Sequence, residues 1–421
     1  MQSSIKLRLT VMNFLQFAVW GAYLTSMGRY LGTAGFGSEI GNFYAMQGLV
    51  SLFMPALMGI VADRWIPAQR LLGLCHTLAG MLMLGVFLYT QTDTPSYPTL
   101  FALYSLSVAF YMPTLALSNS VAYTSLDQAG LDLVKSFPPI RVFGTVGFIC
   151  TMIAVSLLGL EATSGQFAVS AIISLVLAVY AQTLPNCPTA PKGQSKSLVE
   201  ALGLRAFVLF KQRKMALFFI FSMLLGVSLQ ITNGFANPFI STFGEIPAYA
   251  DTFGVKYANI LISLSQLSET LCILLIPFAL RRFGIRRVML IAMVAWVLRF
   301  ALLGLGNPGS GVWLFLLSMI VYGVAFDFFN VSGSLFVDKE TDPSIRSSAQ
   351  GLFMIMTNGI GATLGSLGAQ AVINRFVYSQ SEATAILAGW SMSWYIFAGY
   401  AAVVAVLFAL LFRYNTATEA K

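Results

Sequence analysis

From Val312 to Val337 the sequence runs for 26 residues with a single charged side chain, Asp327. Stretches of this kind recur along the whole chain. The hydrocarbon core of a bilayer is crossed by about 20 apolar residues in a helix. A backbone can enter lipid in this way because the helix satisfies its own peptide groups. Twelve such segments are predicted, near residues 8–31, 38–62, 70–91, 98–123, 136–159, 165–184, 214–242, 257–280, 288–306, 312–337, 346–374 and 389–412. Composition agrees: only 10% of the 421 residues are charged, where a water-soluble chain carries roughly 25%. The expected fold class is therefore all-α, a polytopic membrane protein. The first segment holds Gln16, Trp20 and Tyr23 rather than a plain apolar run, so it is expected to stay in the membrane and not to act as a cleaved signal.

An even number of crossings puts both termini on one side, and the distribution of lysine and arginine says which. With the N-terminus inside, 19 of the 24 basic residues fall on cytoplasmic segments. Both termini are thus expected in the cytoplasm. The longest inner loop, LPNCPTAPKGQSKS (184–197), carries three prolines and reads as a linker. The amphipathic stretch SLVEALGLRAFVLFKQRK (197–214) after it is expected to form a helix on the cytoplasmic face. The expected organisation is an N-terminal six-helix bundle (1–184), a cytoplasmic linker with an amphipathic helix (185–213) and a C-terminal six-helix bundle (214–421). The two halves echo each other: PALMGIVADRWIPAQRLL (55–72) and PFALRRFGIRRVML (277–290) occupy corresponding turns. Paired halves of this kind are the layout of a transporter whose site lies near the midplane.

Several function classes lack their signatures. The net charge of +8 comes from residues scattered between apolar spans, not from one phosphate-binding stripe, so no nucleic-acid partner is expected. Cys75, Cys150, Cys187 and Cys272 show no CxxC spacing and read as packing residues. His76 is the single histidine and cannot build a histidine metal site alone. There is no HExxH and no GxSxG, so no enzyme is expected. A channel is disfavoured by the internal repeat and the charge asymmetry between loops.

Charges inside the spans are few, because each costs about 2.5–3.5 kcal/mol at the bilayer centre. Glu269 is the only charge in the 24 residues between Lys256 and Arg281, and Asp327, Arg299 and Arg141 interrupt other spans. One reading makes these four structural ion pairs; the other marks a substrate or proton path. Spacing favours the second. Gln266 and Glu269 are three apart, as are Gln230 and Asn233, while Tyr322 and Phe326 are four apart beside Asp327 and Asn330. Amides can read base edges and hydroxyls, and an aromatic ring can take the flat face of a planar solute. Low dielectric favours the protonated form of a carboxyl group, so Asp327, with Glu269 as the other candidate, is expected to couple proton entry to solute entry. Arg299 is left with two alternatives, pairing with a carboxylate or serving as a gate. Gly361 and Gly365, like Gly144 and Gly147, are expected at close helix contacts.

The stretches FPPIRVFGTVGF (137–148), LLGVSLQITN (224–233), SLSQLSET (263–270), VAWVLRF (294–300), IVYGVAFDFFNVSGSLFV (320–337) and SAQGLFMIMTNG (348–359) resemble the bacterial nucleoside:proton symporter family of the major facilitator superfamily. The resemblance covers essentially the whole chain and looks like that of the nucleoside and xanthosine permeases of the bacterial inner membrane. It implies the major facilitator fold of two pseudo-symmetric six-helix bundles. It also implies proton-driven import of nucleosides by alternating access, in a multi-pass inner-membrane protein. The substrate-binding positions it implies are Arg141 in FPPIR, Gln230 and Asn233 in LQITN, Gln266 and Glu269 in SQLSE, and Tyr322, Phe326 and Asp327 around FDFFN. Thr145 and Phe148 follow Arg141 as further candidates. GIVADRW (59–65) resembles the superfamily's inner-loop motif, in which Asp63 would stabilise the outward-facing state. The implied partners are a nucleoside such as uridine or xanthosine, protons and the lipid bilayer, with no cofactor beyond the proton gradient and a monomer as the working unit. A symporter of another polyhydroxylated solute, such as a sugar, is the alternative.

Overall fold

A computed structural model describes residues 2–189, 204–343 and 345–414. Among these residues the regular structure is entirely helical. Nine helical stretches among them are long and apolar enough to cross a membrane. Three departures separate this number from the twelve expected segments. The first segment is broken: a helix Gln2–Gly21 gives way to a turn before Met27–Thr33. Gly165–Ala181 is apolar but only 17 residues long. The expected eighth and ninth segments run together as Ala258–Leu305, bent where Gly284 takes φ 76°. That left-handed conformation is open to glycine at little cost, which lets the chain kink inside RRFGIRR without a long loop.

Other breaks lie inside expected spans. The second is divided into Ile40–Ser51 and Met54–Arg64. Pro55 stands in the first turn of the later piece, where its missing N–H is tolerated but the preceding helix cannot continue unbroken. The seventh is divided at Gln230 into Arg213–Leu229 and Ile231–Thr242. The eleventh contains a π-helical turn, Ile355–Gly361, between Arg346–Met354 and Ala362–Phe376. Of the expected amphipathic stretch, 197–203 lie outside the described residues. Leu204–Lys211 forms a 3-10 helix that runs up to the next helix at Arg213. From residue 190 the expected linker is also outside the described residues.

The chain packs into two compact units. One comprises the chain up to Tyr30 and from Leu49 to the central linker; the other comprises Leu31–Gly48 and the chain after that linker. In the first unit, the helices Gln2–Gly21 and Leu133–Leu157 meet at glycines. A Cβ on Gly147 would lie 2.1 Å from the Phe14 carbonyl oxygen, and one on Gly21 would lie 2.4 Å from that of Phe148. In the second, Gly361 and Gly365 bring their segment against Arg213–Leu229, with hypothetical Cβ distances of 2.5 Å to Met223 O and 2.0 Å to Val227 O. These contacts match the expectation for Gly147, Gly361 and Gly365. Leu31–Gly48 is held by a side chain of its own unit. Gln370 Nε2 donates to Gly37 O at 3.0 Å while its Oε1 accepts from the Gly41 N–H.

Candidate functional site

In the second unit, Ala258–Cys272 packs closely on Val312–Glu340. A Cβ on Gly323 would lie 2.5 Å from the Ser268 carbonyl oxygen, and the Ser268 hydroxyl donates to Ile320 O. Ser265 donates to Met319 Sδ across the same contact, which fixes the register between the helix of Gln266 and Glu269 and that of Tyr322, Phe326 and Asp327. Asp327 is 5% exposed, and its Oδ2 has no hydrogen-bond partner among the described residues. Gln266 Oε1 is likewise buried and unpartnered. Glu269, half-buried, interacts electrostatically with both Asp327 and Tyr322. Tyr322 and Phe326 stack with centroids 5.6 Å apart and an interplanar angle of 11°. The four-residue spacing noted in the sequence thus produces one continuous aromatic face.

Gln230 and Asn233 come together at the break in the seventh segment, where Asn233 Nδ2 donates to Gln230 Oε1 at 2.7 Å. Gln230 keeps helical backbone angles at this break, φ −86° and ψ −13°, and its carbonyl oxygen accepts from the Gly234 N–H at 3.1 Å. In the first unit, Arg141 is half-buried, with its guanidinium carbon 4.0 Å from the centroid of the Phe17 ring. Thr145, one turn on, is half-buried, and Phe148 is buried edge-on to Trp20 at 6.4 Å and 88°. Pro138 and Pro139 lie inside the helix Leu133–Leu157, so Arg141 sits on a helix already begun rather than at its entrance.

Two features were not foreseen. Phe17 and Trp20, on the first helix, form the seat for Arg141 and Phe148; their three-residue spacing was the available signal. The pairing alternative for Arg299 is not what the structure shows. Among the described residues Arg299 makes no ion pair; its guanidinium lies 4.5 Å over the Tyr322 ring, and Nη1 donates to Ser318 O at 2.8 Å. The structural ion-pair reading therefore fails for Arg299 and Asp327. Three-residue spacing of Trp296 and Arg299 foreshadows it, since Trp296 also meets Tyr322, edge-on at 5.9 Å.

Taken chemically, the second unit offers two acidic groups, unpartnered amide and carboxylate oxygens and a stacked aromatic face. That set can exchange protons and hold a flat, hydrogen-bonding solute. Comparison with known proteins points the same way. The family described as "Nucleoside H+ symporter" matches residues 3–417. The xanthosine permease of Escherichia coli K12 is 50% identical over 415 residues, covering 98% of this chain and 97% of that protein. The nucleoside permease NupG of the same organism is 47% identical with the same coverage. The crystal structure of the nucleoside transporter NupG superposes with a TM-score of 0.89 at 46% identity, covering 98% of this chain and all of that one. Length, motifs and fold agree from end to end, and the chain belongs to the nucleoside H+ symporter family.

Proposed function

We propose that this multi-pass inner-membrane transporter imports nucleosides, xanthosine and uridine among them, each with protons moving down their gradient. The observation that carries the reading is the buried, unpartnered Asp327 oxygen beside Glu269 and the Tyr322–Phe326 stack. A carboxyl group with no fixed counterion can gain and lose a proton without breaking an ion pair, and the adjacent rings can hold a base. In this reading Asp327 and Glu269 carry the proton. The nucleoside is bound by Arg141, Gln230, Asn233, Gln266, Glu269, Tyr322, Phe326 and Asp327, with Thr145 and Phe148 contributing. No cofactor is required beyond the proton gradient, and one chain is the working unit.

Twelve crossings in two six-helix bundles, with both termini in the cytoplasm, complete the proposal. Supporting it are the nine long apolar helices among the described residues, the broken first segment, the 17-residue Gly165–Ala181 and the kink at Gly284 within Ala258–Leu305. The bias of basic residues toward alternate loops supports the orientation. Alternating access of the two bundles then moves the solute. The names of the relatives favour nucleosides over sugars. Competition against labelled uridine uptake into proteoliposomes tests this choice. Purine and pyrimidine nucleosides are expected to compete and sugars are not; inhibition by sugars alone would overturn it.

A further inference from the structure

Arg299 is the buried charge that the proposed cycle does not use. It is 2% exposed on an apolar helix, Ile276–Leu305, where an unpaired cation is costly. A leucine would fill much of the same volume without that cost, so the guanidinium must supply something specific. Its polar edge is engaged through Nη1, which donates to Ser318 O at 2.8 Å and to Ser265 Oγ at 3.3 Å, while Nε has no partner among the described residues; Ser318 Oγ donates back to Arg299 O at 3.0 Å. The edge is therefore tied to the two helices that carry the acidic groups. The face of the guanidinium lies on Tyr322, 4.5 Å from the ring centroid.

Tyr322 is consequently gripped from three directions. Arg299 covers it, Trp296 meets it edge-on at 87°, and Phe326 stacks on it at 11°. Trp296 and Arg299 lie three apart on one helix, so a single helix face supplies both contacts. Cation–π attraction strengthens as water is excluded, and a guanidinium's planar fork holds its orientation better than a flexible ammonium.

We infer that Arg299 is a positioning residue that fixes the Tyr322 ring as a rigid platform for the nucleobase, acting through that ring and not as a counterion to Asp327 or Glu269. The inference rests on the reading that Tyr322 contacts the nucleoside. A platform held in advance loses less freedom when solute binds, so the effect belongs in apparent affinity more than in maximal rate.

A double-mutant cycle on uridine uptake into proteoliposomes tests it. Arg299→Lys keeps the charge but loses the planar contact; it is expected to raise KM by about tenfold with Vmax within about twofold of the parent. In a Tyr322→Leu background, the same lysine substitution is expected to change KM by less than about twofold, because the group it acts through is gone. Arg299→Gln, which retains a planar donor for Ser318 O, replaces the lysine variant if the latter does not yield folded protein. If Tyr322→Leu raises KM but the Arg299 effect persists undiminished on top of it, the positioning role is overturned alone. If Tyr322→Leu leaves KM where it was, the nucleoside assignment of that ring falls, and this inference with it.

Discussion

The two units each bury a polar cluster in their helices, and the clusters solve the problem of polarity in lipid in opposite ways. In the first, His76 Nε2 lies 2.8 Å from Gln16 Oε1 and Nδ1 lies 2.9 Å from Ser174 Oγ. Gln16 Nε2 donates to Thr114 Oγ1 at 2.7 Å, and the Tyr111 hydroxyl donates to Gln16 O at 2.9 Å. A neutral ring satisfies this arrangement, with its proton on Nε2 toward Gln16 Oε1 and the Ser174 hydroxyl set between Nδ1 and the His76 carbonyl oxygen, 3.0 Å away. Both ring nitrogens and both ends of the glutamine amide have partners, so the cluster joins four helices and asks for nothing more. In the second unit Asp327 Oδ2 and Gln266 Oε1 remain without partners, and a guanidinium is laid on a tyrosine instead of on an acid. A completed network stabilises; an incomplete one keeps the capacity to bind. Buried polarity alone does not mark a site in these spans; what distinguishes the second cluster is an acidic oxygen left without a partner beside a stacked aromatic face.

The largest effect expected from this contrast comes from removing both acids. Glu269→Gln combined with Asp327→Asn is expected to reduce pH-driven uridine accumulation to the level of protein-free vesicles, and residual accumulation would break the comparison. His76→Leu is expected to act on stability instead. It strands Gln16 Oε1, at about 1–3 kcal/mol for a buried group left unsatisfied, while the Ser174 hydroxyl keeps the carbonyl oxygen of residue 76 as its acceptor. A lower unfolding temperature in detergent, with KM and the pH profile of uptake unchanged, is the expected result. A shifted pH profile without loss of stability would move the first cluster into the working class.

Gly323→Ala probes the contact that sets the second cluster. Its new Cβ would press on Ser268 O, an overpacking that costs about 1–3 kcal/mol. Uptake is expected to fall more than stability does, because Gln266 and Glu269 shift relative to Asp327. The smallest effect is expected at Asp251, where Lys256 holds the carboxyl below the usual carboxylate range across a 2.9 Å pair. Such a contribution is present above the unfolded carboxyl's titration and lost as pH falls through the folded value. Full exposure and salt screening leave it little weight. Asp251→Asn is expected to leave uptake kinetics unchanged from neutral to mildly acidic pH.

Much of this was legible in the chain because lipid imposes a local rule. Apolar length places the helices, and a lone charge such as Asp327 stands out against them. Three- and four-residue spacings foretold that Gln266 would share a face with Glu269 and that Tyr322 would stack on Phe326, since helix geometry alone brings such pairs together. The breaks were less legible. Pro55 was a signal for the interruption at Leu52 and Phe53, but the turn after Gly21 is tied to a distant segment. Ser26 is held by Gln166, 140 residues away. The partner of Arg299 was hidden for the same reason. Composition identifies a buried cation, but only the packing of Ile276–Leu305 on Val312–Glu340 shows that it meets a ring face rather than a carboxylate.

The central claim is that an unpartnered carboxyl group on the second unit couples proton movement to nucleoside movement. The most direct test compares two uptake modes of Asp327→Asn in proteoliposomes: accumulation driven by an imposed pH gradient, and equilibrium exchange of uridine with no gradient. Loss of driven accumulation with exchange preserved is the predicted result. Driven accumulation at the wild-type level would contradict the assignment of Asp327 as the coupling site.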